Sequence, residues 1–339
     1  MKKKICIIYT GGTIGMIPSE NGYIPNPESF RRKLDEFSDL YHEDMPEWDL
    51  IEFSPLLDSS DITVNEWNKI GSTIEEQYDV YDGFVILHGT DTMAYSASAL
   101  SFMLENLDKP VVFTGSQIPL CELRSDGRDN IINSIVIAGS DRIHEVCLYF
   151  NGKLLRGNRS TKTSSDQFKA FTSPNAPLLA DVGISITYHE NAIRKRSEGI
   201  FRLQKLKEIP IGVLKIFPGI QIQLFESIMT EKLKGVVLET FGAGNIPSYN
   251  NALLPIIEKA YKSGTIIVVC SQCVQGSVSL GAYATSKALQ DVDAVNGKDM
   301  TTEAAVTKLY YLFSKGLSKE EIKEQMSQDL RGEMREYEF

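Results

Sequence analysis

Excess positive charge is the first thing this sequence lacks. Lysine and arginine number 35 against 45 aspartate and glutamate, a net charge of −10 with a pI near 5.1. That balance offers no electropositive footprint for nucleic acid or for an anionic membrane surface. No apolar stretch approaches the roughly 20 residues that a membrane-spanning helix needs. The N-terminus, MKKKICIIYTGG, has lysines but only a short apolar run with no small-residue cleavage site behind it, so it reads as a first strand rather than a signal peptide. Cysteine is sparse as well: Cys6, Cys121, Cys147, Cys270 and Cys273 are an odd set scattered among strand-like runs, which suits reduced thiols in a cytoplasmic protein.

Several motifs are also missing. Neither GxGxxG nor GxxxxGK[ST] occurs, which removes specific support for nucleotide binding. Without GxSxG or HExxH, His42, His88, His144 and His189 read as isolated polar or partly buried histidines. Cys270 and Cys273 have CxxC spacing but no second pair, a poor zinc site. On a strand they would point to opposite faces, so core packing is expected of them. No metal and no cofactor is expected.

What is present is a chain of 339 residues, 42% hydrophobic and 24% charged, ordinary values for a globular enzyme with a sizeable core. Short apolar runs, KICIIYTGG, FVILHGTDT, PVVFTGSQ, IGVLKIFPG, GVVLETFGAGN and IIVVCSQC, each read as a buried strand ending in a small or hydroxyl residue. Between them lie helical candidates at Val64–Tyr78, Tyr95–Glu105 and Leu253–Ser263, the first opened by a capping box of Thr63 and Glu66. The alternation predicts an α/β fold with a mostly parallel sheet. Asn151-Gly152 between two apolar runs predicts one antiparallel hairpin. Thr302 to Gln328 reads as two terminal helices, and the final RGEMREYEF shows no packing face. The basic, poorly periodic stretch 191–209 predicts a linker between a larger N-terminal catalytic domain, 1–190, and a smaller C-terminal α/β domain, 210–339.

In an open parallel sheet, ligands bind beyond the carboxyl ends of the strands. The loops TGGTIGM and HGTDTM lie at two such ends, and TGSQIP at a third. If the first two are neighbours, Thr13, Thr90 and Asp91 share a crevice, with Gly11, Gly12 and Gly89 allowing tight turns and close approach. Each loop alone is more often a structural turn. With nucleotide and metal chemistry unsupported, hydroxyl chemistry remains. A threonine needs a neighbouring base or a stabilising field to act as a nucleophile. Lys162, in LLRGNRSTKTSS, is a candidate base, although alone it reads as a solvated loop lysine.

Together YTGGTIGM, PLLDSSD, DGFVILHGTDTMAYSASALSFMLENLDKPVVFTGSQIPL, ELRSDGRDN, RGNRSTK and FGAGNIP resemble the L-asparaginases, specifically the cytosolic bacterial type I branch, from about residue 4 to the C-terminus. The resemblance implies hydrolysis of L-asparagine without cofactor or metal, the two-domain fold of that family, and a homotetramer of intimate dimers. It matches Thr13 to the nucleophile, Thr90, Asp91 and Lys162 to a second hydroxyl, acid and lysine, and Tyr23 to the tyrosine of a closing loop. Ser59 matches the serine that binds the substrate's α-carboxylate, and Asp91 also the anchor of its α-ammonium. Ser116 matches a backbone carbonyl that orients the side-chain amide, and Asn245 a position contributed by a partner subunit. Gly12, Ser60 and Gly89 complete the expected binding set. Certain relatives carry an effector site whose arginine falls where this chain has Glu239. A carboxylate does not pair with a carboxylate effector as arginine does, so hyperbolic or weakly sigmoidal kinetics and weak glutaminase activity are expected. Two alternatives stay open: an amidohydrolase acting on a larger amide, and an amino-acid-binding protein without turnover.

Overall fold

The structure, a computed structural model, describes residues 2–20, 22–247, 253–281 and 284–336, and the chain divides into two compact units, Met1–Leu203 and Gln204–Phe339. In the first unit an eight-stranded sheet runs, in spatial order, Ile186–Tyr188, Ala180–Val182, Lys153–Arg156, Val146–Phe150, Val111–Thr114, Gly83–Leu87, Lys4–Gly11 and Glu47–Leu57. The last five of these pair in parallel. Such strands are covered on both faces, which is why Ile5 to Tyr9 is an unbroken run with no exposed surface. Ile5, Ile7 and Tyr9 share a core with Ile131 and Ile135 of helix Gly127–Ala138.

The expected hairpin joins Val146–Phe150 to Lys153–Arg156. Asn151 and Gly152 both take positive φ, 47° and 76°, as a turn matched to strand twist requires. Helix Val64–Gln77 starts at Thr63 with the reciprocal Thr63–Glu66 capping box. Helix Met93–Met103 begins two residues before the expected start and is almost wholly buried, so periodicity marks its ends poorly. The stretch expected as a linker contains a short strand, Arg202–Leu203, paired with Leu104–Glu105, and Phe201 stacks on Tyr78 with ring centres 3.7 Å apart.

The second unit is built on four parallel strands, Ile211–Lys215, Gly235–Thr240, Ile266–Ser271 and Val295–Asn296, with a core that includes Val236, Leu238, Ile257 and Ile267. Helices Thr302–Ser314 and Lys319–Met326 follow. Two expectations fail here. Cys273 does not pack in the core: the strand ends at Ser271, leaving Cys270 buried and Cys273 exposed. The described part of the C-terminal stretch does pack, because Glu333 and Met334 are buried, and residues 337–339 lie outside the described residues. The Glu333 carboxylate meets Lys308 Nζ at 2.6 Å, with neither side chain exposed, and accepts from the N–H groups of Leu330 and Arg331. An irregular turn of this kind has no period to detect.

Candidate active site

Three strand ends meet in the first unit. Lys4–Gly11 lies between Glu47–Leu57 and Gly83–Leu87 and runs parallel to both, so the loops that follow emerge side by side. Gly12, at φ 86°, comes so close to the second loop that a Cβ there would sit 2.4 Å from Gly89 Cα. Its N–H donates to Leu57 O at 3.1 Å. Gly89 in turn abuts Ser59, whose Oγ would lie 2.5 Å from a Cβ at that position. The TGSQIP loop borders the same place, since a Cβ on Gly115 would meet His88 O at 2.3 Å.

On this frame the hydroxyl and charged groups are arranged as follows. Thr13 opens the one-turn helix Thr13–Gly15 and is half-buried. Thr90 is buried, and Lys162 Nζ donates to its Oγ1 at 2.8 Å and to Asp91 Oδ1 at 2.7 Å. Lys162 reaches them from a two-residue strand, Thr161–Lys162, paired with Phe171–Thr172. Its side chain is 18% exposed against 66% for Asp91, so the lysine lies inside the crevice and the aspartate at its rim. Ser59 is buried and Ser116 more so. The Ser116 hydroxyl has no partner among the described residues. No group of acidic, histidine or cysteine side chains among the described residues is arranged to hold a metal ion.

Other expected residues lie elsewhere. Ser60 is exposed, and both its N–H and Oγ donate to Asp58 at 2.9 Å, so it shapes a turn and does not join the group. Tyr23 stands on the hairpin Met16–Ser19 with Gly22–Pro25, half exposed, its hydroxyl donating to Glu122 Oε1 at 3.0 Å. The Glu122 carboxylate raises the pKa of Tyr23, keeping the phenol protonated. Asn245 belongs to the second unit, where Phe241 and Asn245 form an isolated bridge.

Five supporting residues escape the sequence reading. Thr92 Oγ1 donates to Ser59 O at 2.7 Å and holds the turn after Glu47–Leu57 to the HGTDTM loop. Asp126 accepts from the N–H groups of Gln117 and Ile118 at 3.0 and 3.1 Å, and Asn130 Nδ2 donates to Gly115 O at 2.9 Å. Together they clamp the segment that carries Ser116. Burial raises the Asp126 pKa against the lowering pull of those N–H groups. Glu122 and His88 complete the set. Only Asp126 leaves a trace in the sequence, as a helix-capping residue type just before Gly127.

Comparison with known proteins follows the same division. The family described as Asparaginase, N-terminal matches residues 4–194, and the Glutaminase/Asparaginase C-terminal domain matches residues 210–326. The chain is 47% identical to L-asparaginase 1 of Escherichia coli over 98% of each chain. In three dimensions it is similar to L-asparaginase I from Vibrio cholerae, with TM-score 0.92 and 45% identity over 99% of this chain and 100% of that one. It is also similar to the thermostable L-asparaginase from Thermococcus kodakarensis, with TM-score 0.90 and 29% identity over 98% and 100% of the two chains.

Proposed function

This chain belongs to the asparaginase family and hydrolyses the side-chain amide of L-asparagine to L-aspartate and ammonia, and we propose that Thr13 carries the attack. The observation that supports this most is the lysine bridging Thr90 and Asp91 on a loop pressed against Gly12, the residue before Thr13. An amide is a stable acyl donor, and dividing its hydrolysis into hydroxyl attack and later hydrolysis of an ester lowers the barrier of each step. Thr13 Oγ bonds to the amide carbon. Its proton passes through the Thr90 and Lys162 network to the leaving nitrogen, ammonia departs, and water releases aspartate. Backbone N–H groups near Gly12 and Thr90 stabilise the oxyanion, an effect worth about 3 kcal/mol per well-placed donor.

Asp91 anchors the α-ammonium and Ser59 the α-carboxylate, the Ser116 carbonyl orients the amide, and the Tyr23 hairpin closes over Thr13. With one end of the substrate held, the extra methylene of glutamine displaces its carbonyl. A shift of about 1 Å costs on the order of a hundredfold in rate, which supports weak glutaminase activity. Glu239 accepts a hydrogen bond from Thr302 at 2.6 Å, in keeping with a position that is not an arginine effector site, which supports hyperbolic or only weakly sigmoidal kinetics. We place the enzyme in the cytoplasm as a homotetramer of intimate dimers, with Asn245 reaching a neighbouring subunit's site. Among the described residues no helix is long and apolar enough to cross a membrane.

Ammonia release from L-asparagine and L-glutamine over a range of concentrations tests the assignment. Thr13→Ala is expected to lower kcat at least about a thousandfold, the scale of losing a nucleophile that acts within a unit. Retention of activity within tenfold, with Thr90→Ala inactive, moves the attack to Thr90. A Hill coefficient above about 2 restores strong coupling between sites.

A further inference from the structure

His88 lies beneath the second threonine loop and is unused by the reaction above. It is 1% exposed, and its ring bonds at both nitrogens: Nε2 lies 2.9 Å from Ser96 Oγ and Nδ1 2.7 Å from Gly89 O. The direction of each bond follows from counting protons. Gly89 O can only accept, so the bond at Nδ1 runs from the ring, and Ser96, which accepts from Trp67 Nε1 at 2.9 Å, gives its hydroxyl proton to the other ring nitrogen, Nε2. The ring proton therefore sits on Nδ1 and is donated to Gly89 O. Burial keeps the ring neutral, its pKa pushed down to about 4. A second ring proton would strand the Ser96 hydrogen, for which no other acceptor occurs among the described residues.

Gly89 O and the Thr90 N–H belong to one peptide unit, which is not among the cis bonds. In a trans peptide the two groups point to opposite edges of a plane. Turning the oxygen inward to His88 turns the Thr90 N–H outward, away from the core. Among the described residues that N–H has no acceptor, although Thr90 is only 6% exposed, and buried amides without a partner are rare in folded proteins. We propose that His88 is a positioning residue: as its Nδ1–H tautomer, set by Trp67 and Ser96, it holds the Gly89–Thr90 peptide so that the Thr90 N–H faces the crevice and donates to the oxyanion formed on asparagine. The chemistry assumed here rests on the threonine-attack reading.

Two substitutions separate this role from simple core packing. The amide of asparagine falls where the imidazole Nδ1 lies and can still donate to Gly89 O, whereas that of glutamine falls near Nε2 and can keep only the Ser96 contact. His88→Asn is expected to retain kcat within about fivefold. His88→Gln is expected to lose about a hundredfold in kcat, the cost of one oxyanion donor, with KM for asparagine within about twofold. Equal losses in both variants, or a loss in KM alone, overturn the proposal. Should either variant fail to fold, the wild-type enzyme with nitrogen-15 histidine decides by NMR. A buried ring protonated at Nδ1 and unchanged between about pH 5.5 and 8 supports the assignment, and an Nε2-protonated ring removes it. Failure of the Thr13 reading looks different: Thr13→Ala stays active while the split between His88→Asn and His88→Gln persists.

Discussion

At Gly12 the missing side chain is what lets two strand ends touch. Any Cβ there would overlap Gly89, with its Cα and N both 2.4 Å away, and φ is 86°. Gly12→Ala therefore combines backbone strain of about 1–3 kcal/mol with a wedge between the loops carrying Thr13 and Thr90. A displacement of about 1 Å between them is expected to lower kcat/KM at least about a hundredfold while the protein still folds, which steady-state assays beside a thermal melt will separate. Retained activity would show that the contact is not needed for alignment. Residues of this kind were legible because glycine and threonine in loops after apolar runs are uncommon as a set. Lys162 was only faintly legible, since it meets Thr90 across 72 positions of sequence: its loop offered it as a candidate base, and the resemblance gave it a place beside Thr90 and Asp91. Thr92 and His88 act through directed hydrogen bonds, and nothing in the neighbouring letters distinguishes a buried histidine aimed at a carbonyl from one merely packed.

Among the elements, the hairpin that carries Tyr23 is lightly held. Every residue of Gly22–Pro25 is exposed, and short strands with solvated hydrogen bonds open at low free energy. The loop Leu120–Glu122 supplies its fastenings: Leu120 N donates to Ile14 O at 3.0 Å, Cys121 Sγ to Met16 O at 3.3 Å and Tyr23 OH to Glu122 at 3.0 Å. Glu122→Ala removes the last of these. A single such bond is worth about 0.5–1.5 kcal/mol, so amide exchange at Ile17 and Ile24 is expected to quicken by about threefold to tenfold, with that of Ile5 to Tyr9 unchanged. Unaltered exchange in the hairpin would mean that Glu122 does not restrain it. Elements such as Lys4–Gly11 were readable because burial on both faces writes a continuous apolar run. The hairpin, the Arg202–Leu203 strand and the turn around Glu333 were not, because two to four residues carry no period and their partners are distant in sequence.

Across the whole molecule, the two units bury different ionisable groups, and acid should reach them in order. Unfolding the first unit frees His88 to bind a proton at its ordinary pKa of 6.5, whereas the folded ring resists to about 4. The unfolded state gains the proton first, so this contribution is present above pH 6.5 and falls as pH drops toward 4, by about 3 kcal/mol in total. In the second unit burial would raise the Glu333 pKa, but the Lys308 ammonium and the hydrogen bonds it accepts hold it at about 2 against an ordinary 4.5. That stabilisation is intact above pH 4.5 and is lost only between 4.5 and 2. Both tryptophans, Trp48 and Trp67, fall in the first unit, so their fluorescence follows it alone. Titration to acid is expected to shift the tryptophan emission between pH 6.5 and 4 while amides of helix Thr302–Ser314 remain protected from exchange, and to release that helix below 4.5. A single transition seen by both probes at one pH would show that the units unfold together and that neither buried group sets its own threshold. A reversed order would place the acid-labile contact in the Lys308–Glu333 pair.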